Sequence, residues 1–461
     1  MSDKKIVSIG LLGFGNVGSA FFQLLESSSV QIQEMLGVKL EVSKVAVRDL
    51  TKYSGAAIDQ SLIRDDPMSV INDESIDIVV ECMGGIQPAG ELIAKSLSNG
   101  KSVVTANKEL MARSWNELHN VARKHEVRLF CEAAVGGAIP IIRALEVSLL
   151  GERIKRVTGI LNGTTNYILT KMSEEGLDYH DALRQAQVLG FAESDPSADV
   201  KGHDAASKLA ILASIAFHKE VRADDVFCEG IEKITASDII FAKRSGYVIK
   251  LLAVAEILGD EAEAYEAAYE DGVQARVAHI IKDNKNKAPE SGGKRIAVRV
   301  YPAMVPSSHP LASVRLSFNA CFLEGEASGE MMLYGRGAGG LPTASAVLGD
   351  VLTAVSSKSP TLSQGGLKKA GIYSVDELVN KYYVSLDVSD QPGVLAEVAK
   401  VFALNKVSIR SMEQIGFHDE ARLVFITHEA KEADMQLTLS GLKSLDCVER
   451  VESYIRVYGN G

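Results

Sequence analysis

The amino-acid sequence predicts an α/β protein of three domains, and three observations carry this prediction. Short apolar runs alternate with helical patterns over residues 1–140, mixed strand and helix patterns follow over residues 141–345, and a βαββαβ order occupies residues 380–459. The length of 461 residues agrees with about three domains at roughly 150 residues each. Each domain is therefore long enough to bury a core of its own.

Composition and charge favour a globular protein that acts on small molecules. The chain is 46% hydrophobic and 24% charged, which excludes a disordered or collagen-like protein. The formal net charge of −11 argues against nonspecific nucleic-acid binding, because that binding needs basic side chains at the phosphates. We find no apolar run near the roughly 20 residues of a membrane helix, and no secretory signal. Five cysteines without CxxC spacing encode neither a zinc site nor a disulfide framework, so we expect a cytoplasmic protein.

The first domain is predicted to be a Rossmann-type nucleotide-binding domain. Short apolar runs separated by helical patterns predict parallel strands in βαβ units. These runs span residues 6–12, 39–47, 76–80, 101–105 and 128–132. After the first run stands a G-x-G-x-x-G pattern that opens a helix, formed by Gly13, Phe14, Gly15, Asn16, Val17 and Gly18.

Each glycine of this pattern has a physical purpose if the turn holds a dinucleotide. Gly13 permits a tight turn, Gly15 lets the backbone approach a pyrophosphate, and Gly18 lets the helix pack closely on the strand. The N-terminus of the following helix attracts phosphate groups. An ordinary turn is the alternative, but the strand–turn–helix context favours dinucleotide binding.

The end of the second predicted strand favours NADP over NAD. An NAD-specific protein normally places an acidic residue here on the adenosine ribose, whereas this chain has Arg48 followed by Asp49, with Lys52 nearby. A guanidinium group suits a 2′-phosphate. The alternative is a solvated surface arginine.

Two further segments supply candidate active-site groups. Thr105 and Lys108 follow a predicted strand at the carboxyl edge of the sheet, where open α/β sheets bind ligands, although Lys108 alone could be a surface lysine. In the second segment four carboxylates precede Lys208, in the order Glu193, Asp195, Asp199 and Asp204. A buried lysine among such partners can pass a proton to a carbonyl oxygen as hydride arrives. An acidic helix start with an exposed ion pair is the alternative.

Together these motifs resemble the homoserine dehydrogenase family, in the family's order and over nearly the whole chain. The resemblance rests on residues 13–18, 105–108, 132–140, 161–166, 193–208 and 334–343. It implies reversible NAD(P)-dependent interconversion of L-homoserine and L-aspartate 4-semialdehyde, in the biosynthesis of threonine, methionine and isoleucine. It also implies a substrate-binding, catalytic and dimerisation domain at 141–345 and a homodimer or homotetramer.

By motif position, the resemblance assigns roles to individual residues. Lys208 matches the family's proton donor, with Asp204 beside it, while Glu193 and Asp199 match substrate-binding carboxylates. Lys108 matches a lysine near cofactor and substrate. The loop that ends at Gly340 resembles a second glycine-rich loop that approaches the nicotinamide, and Thr105 is assigned to the cofactor.

The resemblance also implies a monovalent cation, either Na⁺ or K⁺. The segment that would bind it includes Glu132, Val135, Gly137 and Ile139. Carbonyl oxygens suit such a cation. A buried structural turn is the alternative.

The C-terminal unit resembles an ACT domain, a ferredoxin-like fold that binds amino acids. Asp390 and Gly393 open its first predicted helix and Asn405 closes it, so these three residues are candidate regulatory positions. The resemblance implies feedback inhibition by threonine, while a domain used only for dimerisation is the alternative. Residues 346–372 are expected to form a helix that returns to the nucleotide-binding domain, followed by a linker.

Two other functions remain open at this point. One is another NADP-dependent oxidoreductase acting on a different amino-acid semialdehyde, and the other is a catalytically silent amino-acid sensor. The polar insert at 259–294 is longer than the family pattern predicts and is interpreted as an exposed loop. Because the glycine pattern begins within the first 20 residues, we expect a monofunctional protein without an N-terminal aspartate kinase.

Overall fold

A computed structural model describes most of the chain. The described residues are 5–53, 58–258, 295–356, 366–417 and 420–459. The predicted insert at 259–294 and part of the predicted linker, 357–365, lie outside them. Packing divides the chain into two compact units. The first comprises Met1–Ala253, Val300–Lys368 and Gly459–Gly461, and the second comprises Val254–Arg299 and Lys369–Tyr458.

The first unit begins with a six-stranded parallel sheet and its helices. The strands are β1 (Lys5–Leu12), β2 (Val38–Ala46), β3 (Ile63–Arg64), β4 (Ile78–Glu81), β5 (Ser102–Thr105) and β6 (Leu129–Phe130). The helices are α1 (Asn16–Leu36), α2 (Met68–Ile71), α3 (Ala89–Ser98) and α4 (Lys108–Lys124). The strand order is β3-β2-β1-β4-β5-β6. This is the doubly wound order of dinucleotide-binding folds, which bind their ligand where the order reverses, so the Rossmann-type prediction is confirmed.

Helix α1 is longer than its sequence pattern predicts. The apolar spacing predicts a helix over residues 19–25, but α1 continues to Leu36 and ends at Gly37, which has a φ of +67°. The serines after residue 25 do not stop the helix, since the hydroxyls of Ser27 and Ser29 donate to carbonyls one turn earlier. Burial of one face sustains the helix through this stretch, as Ile32 is only 3% exposed.

A second sheet follows in the chain. Its strands are β7 (Ile154–Ile160), β8 (Phe227–Cys228), β9 (Tyr247–Leu258), β10 (Arg295–Pro306), β11 (Phe318–Gly325) and β12 (Gly329–Arg336). The path runs β12-β11-β7-β9-β10, with antiparallel pairing of β11 to both β12 and β7. Residues 247–253 of β9 and 300–306 of β10 belong to the first unit, and the remaining residues of these two strands belong to the second. The helices of this region are α5 (Ile141–Arg143), α6 (Gly163–Glu175), α7 (Tyr179–Val188), α8 (Ser197–Val200), α9 (His203–Phe217), α10 (Ala236–Arg244) and α11 (Gly340–Ser356).

Helix α11 returns to the nucleotide-binding core. Val347 and Val351 are fully buried in the same apolar cluster as Phe21 and Leu25 of α1. The first domain in sequence is therefore completed by a helix that follows it by about two hundred residues. This packing brings the N-terminus of α11 close to the N-terminus of α1.

The second unit contains a ferredoxin-like βαββαβ domain. Its elements are β13 (Gly371–Ile372), β14 (Val379–Ser389), α12 (Val394–Leu404), β15 (Ile409–Phe417), β16 (Glu420–Thr427), β17 (Ala430–Lys431), α13 (Glu432–Lys443) and β18 (Val448–Val457). The strands follow the order β18-β14-β16-β15 and are antiparallel. Leu386, Phe402 and Leu442 lie in the core between this sheet and its two helices. The described helices of the protein include none long and apolar enough to cross a membrane.

Candidate active site

The loop between β1 and α1 needs glycine where the backbone comes close to itself. Gly13 has a φ of +96°, and a Cβ there would lie 2.8 Å from the carbonyl oxygen of Cys82. A Cβ on Gly18 would collide with the carbonyl oxygen of Gly13. A Cβ on Gly15 would meet no atom within 4 Å. The loop is therefore closely packed at Gly13 and Gly18 and open at Gly15, as the binding of a diphosphate group requires.

A groove of about 400 Å³ opens beside this loop. Its lining residues are Phe14, Gly15, Asn16, Ser19, Phe22, Gln23, Lys52 and Tyr53. The Phe14 ring packs edge-on against Tyr53, with centroids 5.6 Å apart. The volume lies in the range of small-molecule sites, and the residues present fit a dinucleotide held at the glycine loop.

The end of β2 presents basic side chains rather than a free acid. Arg48 and Lys52 are exposed, and Lys52 lines the groove. The carboxylate of Asp49 accepts hydrogen bonds from the hydroxyl and the backbone N–H of Thr51, at 2.6 and 3.0 Å. The Thr51 hydroxyl, together with its N–H, lowers the pKa of Asp49. One carboxylate oxygen of Asp49 therefore accepts both hydrogen bonds within its own turn.

The second glycine-rich loop comes close to the first. Gly340 begins α11, and a Cβ on it would lie 2.9 Å from the carbonyl oxygen of Asn16 at the start of α1. A Cβ on Gly337 would collide with the buried side chain of Asn319. Two helix N-termini thus lie side by side, and their positive ends favour an anionic group between or above them.

The lysine of the acidic block is buried in a hydrogen-bonded cluster. The Nζ atom of Lys208, on α9, donates to Oδ2 of Asp204 and to the carbonyl oxygen of Leu161, each at 2.7 Å. The Lys208 side chain is 10% exposed and that of Asp204 is 5% exposed. The i,i+4 spacing therefore produces a buried ion pair, and the exposed surface pair is excluded.

Asp204 also joins the two parts of the first unit. Its Oδ1 atom accepts a hydrogen bond from Nζ of Lys108, the first residue of α4. Burial by itself raises the pKa of Asp204, but the ammonium groups of Lys208 and Lys108 hold that pKa well below its usual range. Burial likewise lowers the pKa of Lys108, yet the charge of Asp204 leaves it above its ordinary value. Both groups are therefore charged at neutral pH.

Asn162 is a site residue that the sequence analysis did not single out. Its amide nitrogen donates to Oδ1 of Asp199 at 2.7 Å and to Oδ2 of Asp204 at 2.8 Å. Its amide oxygen accepts from the backbone N–H of Thr165 and caps α6. The cap could have been predicted, because asparagine before a helix is a common N-cap. The hydrogen bonds from the Asn162 amide to two carboxylates could not have been predicted from the sequence.

Two of the predicted site residues, Glu193 and Thr105, lie outside the hydrogen-bonded cluster of Lys208. Glu193 is exposed in the loop between α7 and α8, and within the described chain its carboxylate makes no hydrogen bond to the Lys208 cluster. Thr105 is fully buried, and its hydroxyl donates to Glu81 at 2.5 Å. That hydroxyl therefore faces the protein interior, away from the groove.

The predicted cation segment is a tight turn whose acid is already engaged. The two carboxylate oxygens of Glu132 accept the backbone N–H groups of Ile142 and Arg143, at 2.8 and 2.7 Å. Burial and the nearby Asp350 raise the pKa of Glu132 to about 7. Its carboxylate is thus occupied at the start of α5. Within the described part of the chain, we find no cluster of three or more His, Cys, Asp or Glu side chains suited to a metal ion.

The other oxygen atoms in that turn that can bind a cation are backbone carbonyl oxygens. Gly136 and Gly137 have φ values of +72° and +58°, and Gly137 packs against the backbone of Gly337. Neutral carbonyl oxygens from Val135 and Gly137 fit the chemistry of Na⁺ or K⁺, since these ions need little charge from their ligands. The carbonyl oxygen of Ile139 already accepts the backbone N–H of Ile141 at 2.8 Å. A cation here would be held by main chain rather than by the Glu132 carboxylate.

The candidate regulatory residues of the second unit lie at opposite ends of α12. Gly393, with a φ of +99°, precedes the helix, and Asp390 lies in the turn before it, accepting from Gln414 at 3.3 Å. Asn405 follows the helix and donates to the carbonyl of Val401 at 2.9 Å. The structure brings Asp390 and Gly393 together and separates Asn405 from them by the length of the helix.

A dinucleotide-binding sheet joined to a buried lysine and carboxylates defines the class of this protein as a nicotinamide-dependent oxidoreductase. Comparison with known families assigns residues 13–132 to the homoserine dehydrogenase NAD-binding domain, 140–352 to homoserine dehydrogenase and 382–447 to the ACT domain. A homoserine dehydrogenase of Corynebacterium glutamicum is 44% identical over 98% of this chain and 95% of its own length. The chain belongs to the homoserine dehydrogenase family.

Solved structures agree with this assignment. A homoserine dehydrogenase from Thiobacillus denitrificans superposes with a TM-score of 0.86 at 34% identity, covering 98% of both chains. A hyperthermophilic archaeal homoserine dehydrogenase in complex with NADPH matches with a TM-score of 0.59 at 27% identity, covering 77% of this chain and all of that one. The predicted family, three-part α/β fold, oxidoreductase activity and ACT domain are confirmed.

Proposed function

We propose that Lys208 donates the proton when L-aspartate 4-semialdehyde is reduced to L-homoserine and accepts it in the reverse direction. One observation carries this proposal. Two of the three N–H groups of its ammonium are directed at Asp204 and at the carbonyl of Leu161, each at 2.7 Å, which leaves one for a substrate oxygen. The bound nicotinamide supplies or takes the hydride. Lys208 then neutralises the oxygen on which negative charge develops.

Asp204 and Asn162 hold the proton donor in place. Asp204 keeps both of its oxygens bonded to lysines, so it fixes Lys208 and Lys108 in relation to each other. The Asn162 amide donates to both Asp204 and Asp199 and so fixes these two carboxylates in relation to each other. An ammonium group on the substrate would find Asp199 and Glu193 as carboxylate partners. Because Glu193 is exposed, its assignment rests on the family motif rather than on a contact.

We assign the cofactor as NADP(H) in preference to NAD(H). The groove in which it would lie is lined by Gly15 and Asn16 of the first glycine-rich loop, and Gly340 at the start of α11 lies against Asn16. Arg48 and Lys52 supply positive charge for a 2′-phosphate, and the neighbouring acid is bound to its own turn. A homologous structure holds NADPH. Replacing Arg48 by alanine should raise KM for NADPH several-fold and leave KM for NADH unchanged.

We also propose a bound cation, a regulatory effector, an oligomeric state and a cellular compartment. We assign a Na⁺ or K⁺ ion to the carbonyls of the Glu132 to Ile139 turn, and an amino acid, threonine, as effector of the ACT domain. The protein would assemble as a homodimer or homotetramer and work in the cytoplasm. Five free thiols support a reducing compartment.

The deciding experiment compares the unaltered chain with Lys208→Ala. NADPH and NADH oxidation are followed with L-aspartate 4-semialdehyde, with and without threonine, and NADPH affinity is measured by fluorescence. We expect Lys208→Ala to lower kcat by about two to four orders of magnitude with little change in NADPH affinity. Lys201→Ala, an exposed lysine of the same region, serves as the control. Retained turnover in Lys208→Ala would refute the assignment.

A further inference from the structure

Glu81 is a buried carboxylate at the carboxyl end of β4 that the proposed chemistry does not use. The side chain is 0% exposed. Its Oε1 atom accepts the backbone N–H groups of Met83 and Gly84, at 2.7 and 3.1 Å. Its Oε2 atom accepts the hydroxyl of Thr105 at 2.5 Å. The Glu81 carboxylate thus accepts three hydrogen bonds, two from the residues that follow β4 and one from the last residue of β5.

Within the described residues, hydrogen bonds rather than ion pairs stabilise this carboxylate. Among the ion pairs of the described residues, Glu81 has no lysine or arginine partner. A buried charge without a counter-charge is costly, and a neutral residue could fill the same space at lower cost. Its presence therefore calls for a role in arranging the groups bound to it, which form the edge of the sheet where such folds bind ligands.

The first of these groups is the loop that follows β4. Gly84 and Gly85 each have a φ of +73°, and a Cβ on either would meet no atom within 4 Å. The loop is open on its outer side and is held from within by Glu81. It also borders the dinucleotide cradle, since the carbonyl of Cys82 lies against Gly13. Its outer face is therefore available to a bound cofactor.

The second group is the start of α4. The Thr105 oxygen that donates to Glu81 also accepts the backbone N–H of Asn107 at 3.0 Å. The Asn107 side chain donates to the carbonyl of Gly85 at 2.6 Å and caps α4 by accepting from Leu110. Helix α4 begins at Lys108, the lysine bound to Asp204. One network therefore connects the glycine loop to the lysine–carboxylate cluster.

We infer that Glu81 is a positioning residue for the cofactor and for Lys108. Its carboxylate holds the Gly84–Gly85 loop in the shape that receives the nicotinamide half of the dinucleotide. Through Thr105 and Asn107 it also fixes the start of α4. The inference rests on the proposed function, because it takes this edge of the sheet as the cofactor site.

The test compares Glu81→Ala, Glu81→Gln and Asp77→Ala. Asp77 lies just before the opposite end of β4, is exposed, and accepts the backbone N–H of Ser8 at 2.8 Å, so it is a control acid beside the same strand but away from the ligand edge. NADPH affinity is measured by fluorescence titration without substrate, and kcat and KM are measured with saturating partners. We expect Glu81→Ala to weaken NADPH binding by about tenfold to a hundredfold and to lower kcat. Glu81→Gln keeps an acceptor for the two loop N–H groups and should restore most of the affinity, while Asp77→Ala should bind NADPH like the unaltered chain.

Other outcomes separate the inference from the proposed function. If Glu81→Ala lowers the melting temperature but binds NADPH normally, Glu81 is only structural and the inference is wrong. If Glu81→Ala does not fold, Thr105→Val, which removes one donor of the network, decides by the same readouts. If the unaltered chain does not bind NADPH, the proposed function itself fails, whatever the variants do.

Discussion

The carboxylate of Asp204 lies one helical turn before Lys208 and accepts its ammonium at 2.7 Å. The same carboxylate accepts Lys108 through its other oxygen. One buried acid thus links the lysine proposed as proton donor to the edge of the dinucleotide-binding sheet.

Replacing Asp204 by asparagine should destabilise the protein in a pH-dependent way. The pKa of Asp204 in the folded chain lies below its unfolded value of about 3.9, so its ionised form stabilises the fold above that pH. Removing one partner of a buried ion pair costs about 3–5 kcal/mol. We expect a loss of this order at neutral pH that shrinks as the pH falls below about 4.

Urea unfolding at several pH values measures this difference, and steady-state turnover measures the effect on activity. Asp195→Asn is the control, because Asp195 belongs to the same acidic block but is exposed and, among the described residues, hydrogen-bonds only to Ser197. A loss for Asp204→Asn that is equal at pH 7 and at low pH would contradict the charge argument.

Asn162 offers a test that separates helix capping from its bridge between acids. Asn162→Asp keeps an oxygen for the Thr165 N–H but replaces the amide donor by a third carboxylate beside Asp199 and Asp204. We expect this variant to retain the melting temperature better than Asn162→Ala, which also loses the cap, worth about 1 kcal/mol. Both variants should lose kcat/KM for homoserine. A fully active Asn162→Asp variant would show that the bridge is dispensable.

Local rules made the dinucleotide fold predictable from sequence. Gly13 and Gly18 follow from the geometry of one strand, one turn and one helix, and the structure confirms the packing at both. The length of α1 was not predictable in the same way, since its second half is sustained by burial of Ile32 rather than by local propensity. The apolar periodicity therefore predicts helix α1 but not the residue at which the helix ends.

The site was less predictable because its contacts join distant parts of the chain. Asn162 reaches Asp204 across 42 positions, and Thr105 reaches Glu81 across 24. No spacing rule connects such residues, so the bridging amide and the buried acid were not found. The contact between Lys208 and Asp204 could be predicted, because i,i+4 spacing is itself a contact rule.

Lys250 provides a stability test at alkaline pH. It is 2% exposed and donates to the side-chain oxygen of Asn166 at 3.0 Å and to the carbonyl of Val314 at 2.5 Å. Burial lowers the pKa of Lys250 to about 8, despite the attraction of Glu174. Since its unfolded pKa is about 10.4, the unfolded chain binds more protons between these values, and Lys250 makes stability rise with pH there.

The variant Lys250→Met should lack that rise. Relative to the unaltered chain, it should lose about 1–3 kcal/mol at neutral pH from its missing hydrogen bonds, and the gap should widen toward about pH 10. Denaturant unfolding at both pH values measures this, with Lys233→Met, an exposed lysine, as the control. A gap that stays constant with pH would contradict the lowered pKa.

Gly337 and Asn319 should be energetically coupled. Asn319 is fully buried, and its amide oxygen and nitrogen have no hydrogen-bond partner in the described part of the chain. A Cβ on Gly337 would collide with this side chain, so Gly337→Ala should cost about 1–3 kcal/mol from overpacking. Asn319→Ala makes room, so the double variant should recover about 1 kcal/mol or more of that loss.

A double-mutant cycle by urea unfolding measures the coupling between Gly337 and Asn319. Gly151→Ala, with no atom within 4 Å of its Cβ, should instead be additive with Asn319→Ala. Additivity at Gly337 would mean that the second glycine-rich loop yields elsewhere, and that its approach to α1 is not set by Asn319.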